Sequence, residues 1–212
     1  MTEIVSIERD GAETARAELA RCVAGGGVAV FPADTLYGLA CDPLNGPAVE
    51  RVNEIKGREP AKPSAVMYFS PLAMRELIAG LGERTREAIG SLLPGPVTLV
   101  IANPEHRYPL ACGETPERLG VRLIEGPLAG AMTAVLQTSA NRAGVEPPAD
   151  FSAIEPEIIG EAHLAIDGGA LGGAPSSVVD IGDLDTGGGW RLLREGAVSR
   201  SELERALGPA AG

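Results

Sequence analysis

The stretch GGGVAVFPADTLYGL (residues 25–39) contains a change from a helix to a buried strand. Before it, Asp10 and Glu13 form a capping-box pattern, which predicts a helix over residues 12–24. The three glycines that open the stretch end this helix. Val28 to Phe31 is a short apolar run closed by a proline, as is typical of a buried strand. A helix followed directly by a buried strand indicates an α/β protein.

Strands and helices alternate through the rest of the chain. Further strands are predicted over residues 2–8, 64–69, 97–102, 120–124, 162–167, 177–181 and 191–194. Further helices are predicted over residues 47–55, 71–79, 85–92 and 127–136, and a last helix opens at the capping box of Ser199 and Glu202 and runs to Leu207. Several strands follow one another without a helix long enough for a parallel crossover. We therefore expect an α/β fold in which helices pack on a mixed parallel and antiparallel sheet.

The composition limits the kind of ligand. The chain has 212 residues, of which 44% are apolar and 22% charged, and this balance suits a globular protein with one sizeable core. A formal net charge of −11 argues against a broad electrostatic grip on nucleic acid. An anionic ligand would therefore need a local basic pocket.

The cysteines and the first residues bear on the compartment. Cys22, Cys41 and Cys112 are widely spaced and form no CxxC pair, so the sequence indicates neither a disulfide framework nor a zinc site. The opening MTEIVSIERDG lacks the basic and apolar regions of a signal peptide, and no segment approaches the length of a membrane span. We expect a cytoplasmic protein with no membrane association and no protein-held metal.

Both lysines of the chain, Lys56 and Lys62, lie in the stretch KGREPAKPS (residues 56–64), with Arg58 between them, and the rest of the 18 basic side chains are arginines. Lysine is a compact point charge that suits one phosphate oxygen or a carboxylate, whereas arginine is a broad planar fork. Two lysines can fall this close by chance, but the loops elsewhere in the chain favour an anion-binding role.

Polar side chains suited to anion binding occur in loops next to predicted strands, where α/β proteins bind their ligands. They are Thr35, Lys56, Arg58, Lys62, Arg122, Ser139, Asn141, Ser176, Ser177 and Arg194. Hydroxyls, one amide and cations suit a ligand that carries phosphates and a carboxylate. Taken singly, each residue could equally form a turn or cap a loop.

The motifs that the sequence lacks exclude other reaction classes. The two histidines, His106 and His163, lie outside any recognisable motif, which argues against a Ser-His-Asp hydrolase. The chain contains neither GxxxxGK[ST] nor GxGxxG after a strand, so neither a P-loop nor a dinucleotide fingerprint is present. An enzyme with this inventory has no evident catalytic acid or base and would work by positioning and charge neutralisation.

Seven segments of the chain form an ordered set: PADTLYGLACDP (residues 32–43), KGREPAKP (residues 56–63), PGPVT, VRL, TSANRAG, PSSVVD and LLREG. This ordered set resembles the YrdC-like family of threonylcarbamoyl-AMP synthases, because PADTLYGLACDP is similar to the family's PT(D/E)TVYGLG signature and KGREPAKP to its K-x-R loop. PGPVT, VRL, TSANRAG, PSSVVD and LLREG match the later family motifs in succession. The match extends from about Val28 to Gly196.

This resemblance implies a fold and an activity. The fold would be a YrdC-like twisted mixed sheet with flanking helices around a central basic cavity, in one domain over residues 1–212 with its motif-bearing core at about 28–196. The family joins L-threonine, bicarbonate or CO₂, and ATP accompanied by Mg²⁺, and releases pyrophosphate and threonylcarbamoyl-AMP. A separate threonylcarbamoyl transferase complex then modifies tRNA, which this chain would contact indirectly or weakly.

The resemblance also implies the site residues. ATP would bind at Lys56, Arg58, Lys62, Thr138, Ser139, Asn141 and Arg194. L-Threonine would bind at Thr35, Met67, Arg122, Ser176 and Ser177. Arg122 would face the threonine carboxylate, and Lys56 and Arg58 would position the phosphates.

The chain departs from the family pattern in several places, among them Pro175, where a Glu is frequent, and Glu195, where a Pro is frequent. Met67 stands where many relatives carry a histidine, and Ile124 and Gly126 lie where the family often reads Pro-Asp-His-Pro. These departures leave open a paralogue that carbamoyl-adenylates a different substrate. A second alternative is a YrdC-like module that binds RNA or a nucleotide without catalysis.

Overall fold

Ten strands form one mixed sheet in the computed structural model, which describes residues 1–59, 62–131 and 133–210. The strands are β1 (Glu3–Ser6), β2 (Ala29–Pro32), β3 (Tyr37–Cys41), β4 (Ala65–Tyr68), β5 (Val97–Ala102), β6 (Arg118–Leu123), β7 (Ala134–Ser139), β8 (Leu164–Asp167), β9 (Ser177–Asp180) and β10 (Arg191–Arg194). Their order across the sheet is β1-β8-β2-β3-β7-β4-β6-β5-β9-β10. β8 pairs in parallel with β1 and β2, β4 with β6, and β5 with β9, while the other neighbours are antiparallel. The predicted mixed sheet is confirmed.

Helices flank this sheet, as predicted. They are α1 (Ile7–Asp10), α2 (Ala12–Ala24), α3 (Gly46–Lys56), α4 (Pro71–Ala79), α5 (Glu83–Leu92), α6 (Pro109–Cys112), α7 (Pro156–Glu161) and α8 (Arg200–Leu207). Ser70 caps α4 by accepting the N–H of Ala73 at 3.1 Å, and Ser199 and Glu202 form the predicted capping box of α8. None of the helices in the described ranges combines the length and apolar character needed to cross a bilayer.

The predicted capping box of Asp10 and Glu13 is wrong. Gly11 is the N-cap of α2, and the Asp10 carboxylate instead accepts the N–H of Ser6 at 2.8 Å within the turn of α1. Because the backbone turns into α1 after Ser6, the strand predicted over residues 2–8 is limited to β1.

The helix predicted over residues 127–136 is also wrong, because β7 begins at Ala134. β7 lies between β3 and β4 and is antiparallel to both, so both neighbours take up its backbone hydrogen bonds. Val135 and Leu136 are buried on opposite faces of the sheet. A strand buried on both faces cannot be told from a buried helix by periodicity alone. Residue 132, within this segment, lies outside the described residues.

Two apolar clusters pack on the two faces of the sheet. The first apolar cluster includes Val30, Leu39, Val66, Val121 and Leu136 of the strands, and Val52, Met74, Ile89 and Leu203 of α3, α4, α5 and α8. The second apolar cluster includes Phe31, Ala40, Met67 and Val135 of the strands, Leu19 of α2 and Ile124. Alternate residues of β4 and β7 enter different clusters, as the period of two requires. The second face therefore has one part covered by α2, and its remaining part borders a cavity.

Candidate functional site

A cavity of about 430 Å³ lies on the second face of the sheet. Its volume falls in the range of roughly 300–1,000 Å³ that is usual for small-molecule sites. Arg118, Gly120 and Arg122 of β6 line it, while the intervening residues of that strand enter the first apolar cluster. The polar lining residues are Thr35, Ser64, Thr98, Thr115, Arg118, Arg122, Gln137, Thr138, Ser139, Ser176, Asp180 and Arg194. Most of these polar side chains carry a hydroxyl, three carry a guanidinium group and one carries a carboxylate.

Arg122 forms a buried ion pair in the cavity wall. Its Nη2 donates to Oδ1 of Asp34, which lies in the loop between β2 and β3, and its Nη1 lies 3.4 Å from Oε1 of Gln137. Arg122 is only 5% exposed. Among the described residues, Nε of Arg122 and Oδ2 of Asp34 have no hydrogen-bond partner. A guanidinium with unused donor capacity beside a cavity is suited to a carboxylate ligand.

Arg194 forms a second cationic group at the rim. Its Nη2 donates to the carbonyl oxygen of Ser176 at 2.8 Å and lies 3.4 Å from the Ser176 hydroxyl. That hydroxyl is also 3.3 Å from Oγ1 of Thr98. Partial burial, and secondarily the charge of Arg122, lower the pKa of Arg194. The two guanidinium groups therefore act on the same region, and an anion bound there would relieve their repulsion.

A β-bulge in β10 accommodates one extra residue directly before Arg194. Leu192 pairs with Val179 and Arg194 pairs with Val178, so Leu193 is an extra residue in the ladder. Leu192 packs against the first apolar cluster. Leu193 and Arg194, although adjacent in the chain, both line the cavity.

Arg58 lies behind a pair of hydroxyls in the cavity wall. Its Nη2 donates to Oγ of Ser64 and its Nη1 to Oγ1 of Thr138 at 3.3 Å, while Nε donates to Oδ1 of Asn53 at 2.8 Å. Ser64 and Thr138 line the cavity. Burial lowers the pKa of the Arg58 guanidinium. The charged guanidinium therefore donates to both hydroxyl oxygens and fixes their positions in the cavity wall.

Lys56 ties down the segment that ends β7. Its Nζ donates to the carbonyl oxygens of Ser139 at 2.5 Å and of Asn141 at 2.8 Å. The side chain is 5% exposed, and burial, with a smaller contribution from the Arg58 charge, lowers the pKa of Lys56 to about 8. Asn141 in turn donates to the carbonyl oxygen of Val145 at 2.6 Å. Lys56 and Asn141 therefore organise the loop next to Ser139, and the residues that line the described cavity do not include them.

Three of the predicted residues occupy other environments. Met67 is fully buried in the second apolar cluster, so it does not line the cavity with Arg122. The Ser177 hydroxyl donates to the carbonyl oxygen of Val198 and accepts the N–H groups of Gly196 and Val198, which gives it an anchoring role. Lys62 is exposed and also lies outside the lining.

A second group of charges lies at the Arg118 end of the cavity. Arg118 Nη2 donates to Oδ1 of Asp183 at 2.6 Å, and this ion pair raises the pKa of Arg118. Asp180 accepts from Arg191 Nη2 at 2.8 Å and lies 3.9 Å from Arg118 Nη1. Both arginines are paired with carboxylates, whereas no carboxylate among the described residues pairs with Arg194. The Arg118 end is therefore closer to charge balance than the rim at Arg194.

Sequence reasoning missed several residues in or next to the cavity lining. Asp34, which pairs with the lining residue Arg122 but does not itself line the cavity, stands in the quoted PADT segment directly before Thr35, where only the hydroxyl was selected. Gln137 was missed because the residues before it were predicted to be a helix over residues 127–136, and not the first part of strand β7. Arg118 was missed because the strand was predicted to begin at residue 120; the spacing of four residues to Arg122 would have indicated one strand face.

In the ranges that the structure describes, no group of three or more His, Cys, Asp or Glu side chains is arranged as metal ligands. The only carboxylate that lines the cavity there is Asp180, which Arg191 already engages. The described lining therefore offers few protein ligands for a metal ion.

Comparison with known proteins gives consistent results. The family model Sua5_yciO_yrdC, described as Telomere recombination, matches residues 21–196. The threonylcarbamoyl-AMP synthase of Chromohalobacter salexigens is 34% identical over 163 residues, which cover 74% of this chain and 86% of the relative. The Homo sapiens protein of the same name is 34% identical over 216 residues, covering 94% of this chain and 73% of the relative.

A solved structure has the same fold. The P. abyssi Sua5 structure, complexed with L-threonine, superposes with a TM-score of 0.85 at 26% identity and covers all of this chain. The present chain spans 62% of the length of that protein. With a family match over most of its length and relatives at this level of identity, the chain belongs to the Sua5/YciO/YrdC family.

Proposed function

We propose that the protein is an L-threonylcarbamoyladenylate synthase, a nucleotidyltransferase of tRNA modification. The substrates are L-threonine, ATP, and bicarbonate or CO₂, and the products are threonylcarbamoyl-AMP and pyrophosphate. The observation that carries the proposal is one cavity in which Arg122 lies on one side, the hydroxyls of Ser64 and Thr138 with Arg58 behind them lie on the other, and Arg194 adds a positive charge at the rim.

The amino acid binds beside Arg122 in this proposal. The carboxylate accepts from the guanidinium, because charge-assisted bonds from arginine to a carboxylate are among the strongest in proteins. The hydroxyls of Thr35 and Ser176, both more than nine-tenths buried, lie in the same lining and suit the remaining polar groups of threonine.

ATP binds across Ser64, Thr138 and Ser139, with Arg58 behind the first two and Arg194 at the rim. Lys56 and Asn141 act indirectly, because they fix the end of β7 at Ser139 and the loop that follows it. A contact between the exposed Lys62 and the phosphates stays a prediction. Mg²⁺ enters with the nucleotide, whose phosphate oxygens supply ligands that the described residues do not.

The reaction makes two bonds. The threonine ammonium loses one proton to solvent, its nitrogen attacks the carbon of CO₂, and the loss of a second proton from nitrogen to solvent gives a carbamate. A carbamate oxygen then attacks the α-phosphorus of ATP, and the bond from this phosphorus to the bridging oxygen breaks as pyrophosphate leaves. The first step creates an anion and the second brings that anion to the triphosphate, so a cavity lined by guanidinium groups accelerates them by positioning the reactants and neutralising their charge.

The product is a mixed anhydride that water can hydrolyse, so a second enzyme must accept it soon after its release. We propose a threonylcarbamoyl transferase complex as that partner, acting in the cytoplasm. The net charge of −11 favours indirect or weak contact with tRNA itself. The described strands share one sheet, which supports our proposal that residues 1–212 form one domain.

The test is a pyrophosphate-release assay on the full chain with ATP, Mg²⁺, bicarbonate and L-threonine, omitting one component at a time. We expect release only with all four. Release that persists after rigorous removal of bicarbonate and CO₂ would contradict the proposal. Nucleotide binding without any release would favour a binding module, and release with a different amino acid would favour a paralogue of other specificity.

A further inference from the structure

The ion pair of Asp34 with Arg122 joins two almost fully buried groups. The Asp34 and Arg122 side chains are 10% and 6% exposed, respectively. Asp34 directly precedes Thr35, which lines the cavity, and Arg122 lines it as well. Asp34 itself is not a lining residue, so its carboxylate lies next to the wall of the amino-acid region through Arg122 and Thr35, and it was not among the residues that the sequence motifs indicated.

The hydrogen bonding of this pair is incomplete. Only Oδ1 of Asp34 is engaged by Arg122, and among the described residues Oδ2 of Asp34 and Nε of Arg122 are buried without partners. Buried charges retained only for stability are normally hydrogen-bonded in full, because an unsatisfied polar atom is unfavourable in a poorly solvated place. Neither of these two atoms has exposed surface, so a ligand in the cavity would meet the charges of the pair and the remaining N–H groups of Arg122 rather than bond to the two unpartnered atoms.

The charge of the pair also matters for selectivity. Asp34 compensates Arg122, so a ligand that carries only a carboxylate meets a guanidinium whose charge is already balanced. A zwitterion brings a carboxylate for the guanidinium and an ammonium that the Asp34 carboxylate attracts. This attraction acts over several ångströms in a weakly solvated wall and needs no direct contact.

We propose that Asp34 is a specificity-determining residue, which makes this region of the cavity select a zwitterionic α-amino acid over a carboxylic acid without an amine. The inference rests on the proposed function, since it takes Arg122 as the partner of the substrate carboxylate. It adds a discrimination at the α-amine, the group from which the carbamate must be made.

The experiment compares two ligands on the full chain by calorimetric titration. One is L-threonine, and the other is 2,3-dihydroxybutanoate of matching configuration, which carries a hydroxyl in place of the amine. The wild type should bind L-threonine at least tenfold more tightly. In Asp34→Asn, which keeps an oxygen for Arg122 but removes the charge, this ratio should fall about tenfold, mainly through weaker threonine binding.

A matched control is Asp183→Asn: Asp183, like Asp34, lies outside the lining and pairs with a lining arginine, but this arginine is Arg118 at the other end of the cavity. Its ligand ratio should equal that of the wild type. An Asp34→Asn protein that is folded and keeps the wild-type ratio, or that loses both ligands equally, would overturn the role of Asp34 while leaving the proposed function intact.

The wild-type measurement tests the inference even if Asp34→Asn does not fold. Equal affinity of the wild type for the two ligands would overturn the inference alone. A wild type that binds neither ligand, with or without ATP, would overturn the proposed function and this inference together.

Discussion

One face of the sheet contains both an apolar core and a ligand cavity, and the two meet along single strands. On β4, Met67 is packed in the second apolar cluster, whereas Ala65, two residues earlier on the same face, borders the cavity. On β7, Val135 and Gln137 differ in the same way. Strand alternation is the same in both parts, so alternation alone does not distinguish a core from a site.

The covering element and the size of the side chains make the difference. Leu19 of α2 packs onto the apolar part, and the residues there include Phe31 and Met67. The floor of the cavity contains small residues such as Ala65 and Gly120. Large side chains under a helix fill space, while small ones leave room for a ligand whose polar groups complete the hydrogen bonding. The stability of the protein should therefore depend on the apolar part of this face, and ligand binding on the part that borders the cavity.

Met67→Ala should give the largest effect and test the apolar part. Truncating a fully buried methionine typically lowers the free energy of unfolding by about 2–5 kcal/mol. Urea denaturation measures this loss, and ATP and threonine titrations of the folded variant should match the wild type. Leu193→Ala is the matched control, because Leu193 is 57% exposed at the cavity rim and should change stability by roughly 0.5 kcal/mol or less. Loss of threonine binding by folded Met67→Ala would return Met67 to the site.

Arg122→Met should give the next largest effect and test the cavity. Loss of the charged hydrogen bonds should weaken L-threonine binding by about 1.5–3 kcal/mol, or roughly tenfold to a hundredfold, with ATP binding much less affected. Titration of each ligand measures the two affinities. Arg205→Met, on the exposed surface of α8, is the control and should leave both unchanged. An equal loss for ATP and threonine would indicate that Arg122 is structural.

Lys56, which is buried next to the cavity, should make the free energy of unfolding depend on pH. Its pKa is lowered from 10.5 to about 8 by burial, so between these values the unfolded chain holds a proton that the folded protein has lost. The contribution of Lys56 to the free energy of unfolding should therefore rise with pH from about 8 to 10.5, by at most roughly 1.4 kcal/mol per pH unit, and be constant below 8.

Denaturation of the wild type and Lys56→Met between pH 7 and 10 measures this slope as a difference between the two proteins. Deprotonation also removes a donor from the Ser139–Asn141 loop, so ATP binding should weaken across the same interval in the wild type. Parallel stability profiles for the two proteins would show that Lys56 does not titrate there.

Thr98→Val should give the smallest effect. It removes the contact of 3.3 Å between the Thr98 and Ser176 hydroxyls while keeping the shape of the side chain. The Ser176 hydroxyl would keep only its neighbour Arg194, and threonine binding should weaken by about 0.5–1.5 kcal/mol. Titration with ATP serves as the internal reference and should not change. Tighter threonine binding would mean that Thr98 competes with the ligand for Ser176.

The sequence predicted most of the fold because its elements carry strong local signals. Ser70 before Pro71 and the capping box of Ser199 both lead to the helices that the structure contains. β7 was missed because its two buried faces remove the alternation that identifies a strand. The loop of Asp10 was misread because a carboxylate can cap a neighbouring turn as well as the helix that follows.

The candidate site was predictable as a set of motifs and less so as a geometry. Thr35, Arg122, Ser176 and Arg194, which lie far apart in sequence, do meet at one cavity. Sequence alone could not show that the Ser177 hydroxyl donates its hydrogen bond to the carbonyl oxygen of Val198, because this partner lies 21 residues further along the chain. The pairing of Arg122 with Asp34 likewise spans 88 residues.

Because Leu193 is bulged, it adds one residue to β10 without changing which residues of β9 pair with Leu192 and Arg194. Arg194 is paired with Val178 next to the pair of Leu192 and Val179, so a strand without Leu193 would continue the ladder regularly and still present Arg194 to the cavity. Leu193 is thus a removable spacer in an edge strand. Deleting or exchanging it offers a way to widen the mouth of the site while the arginine behind it keeps its place.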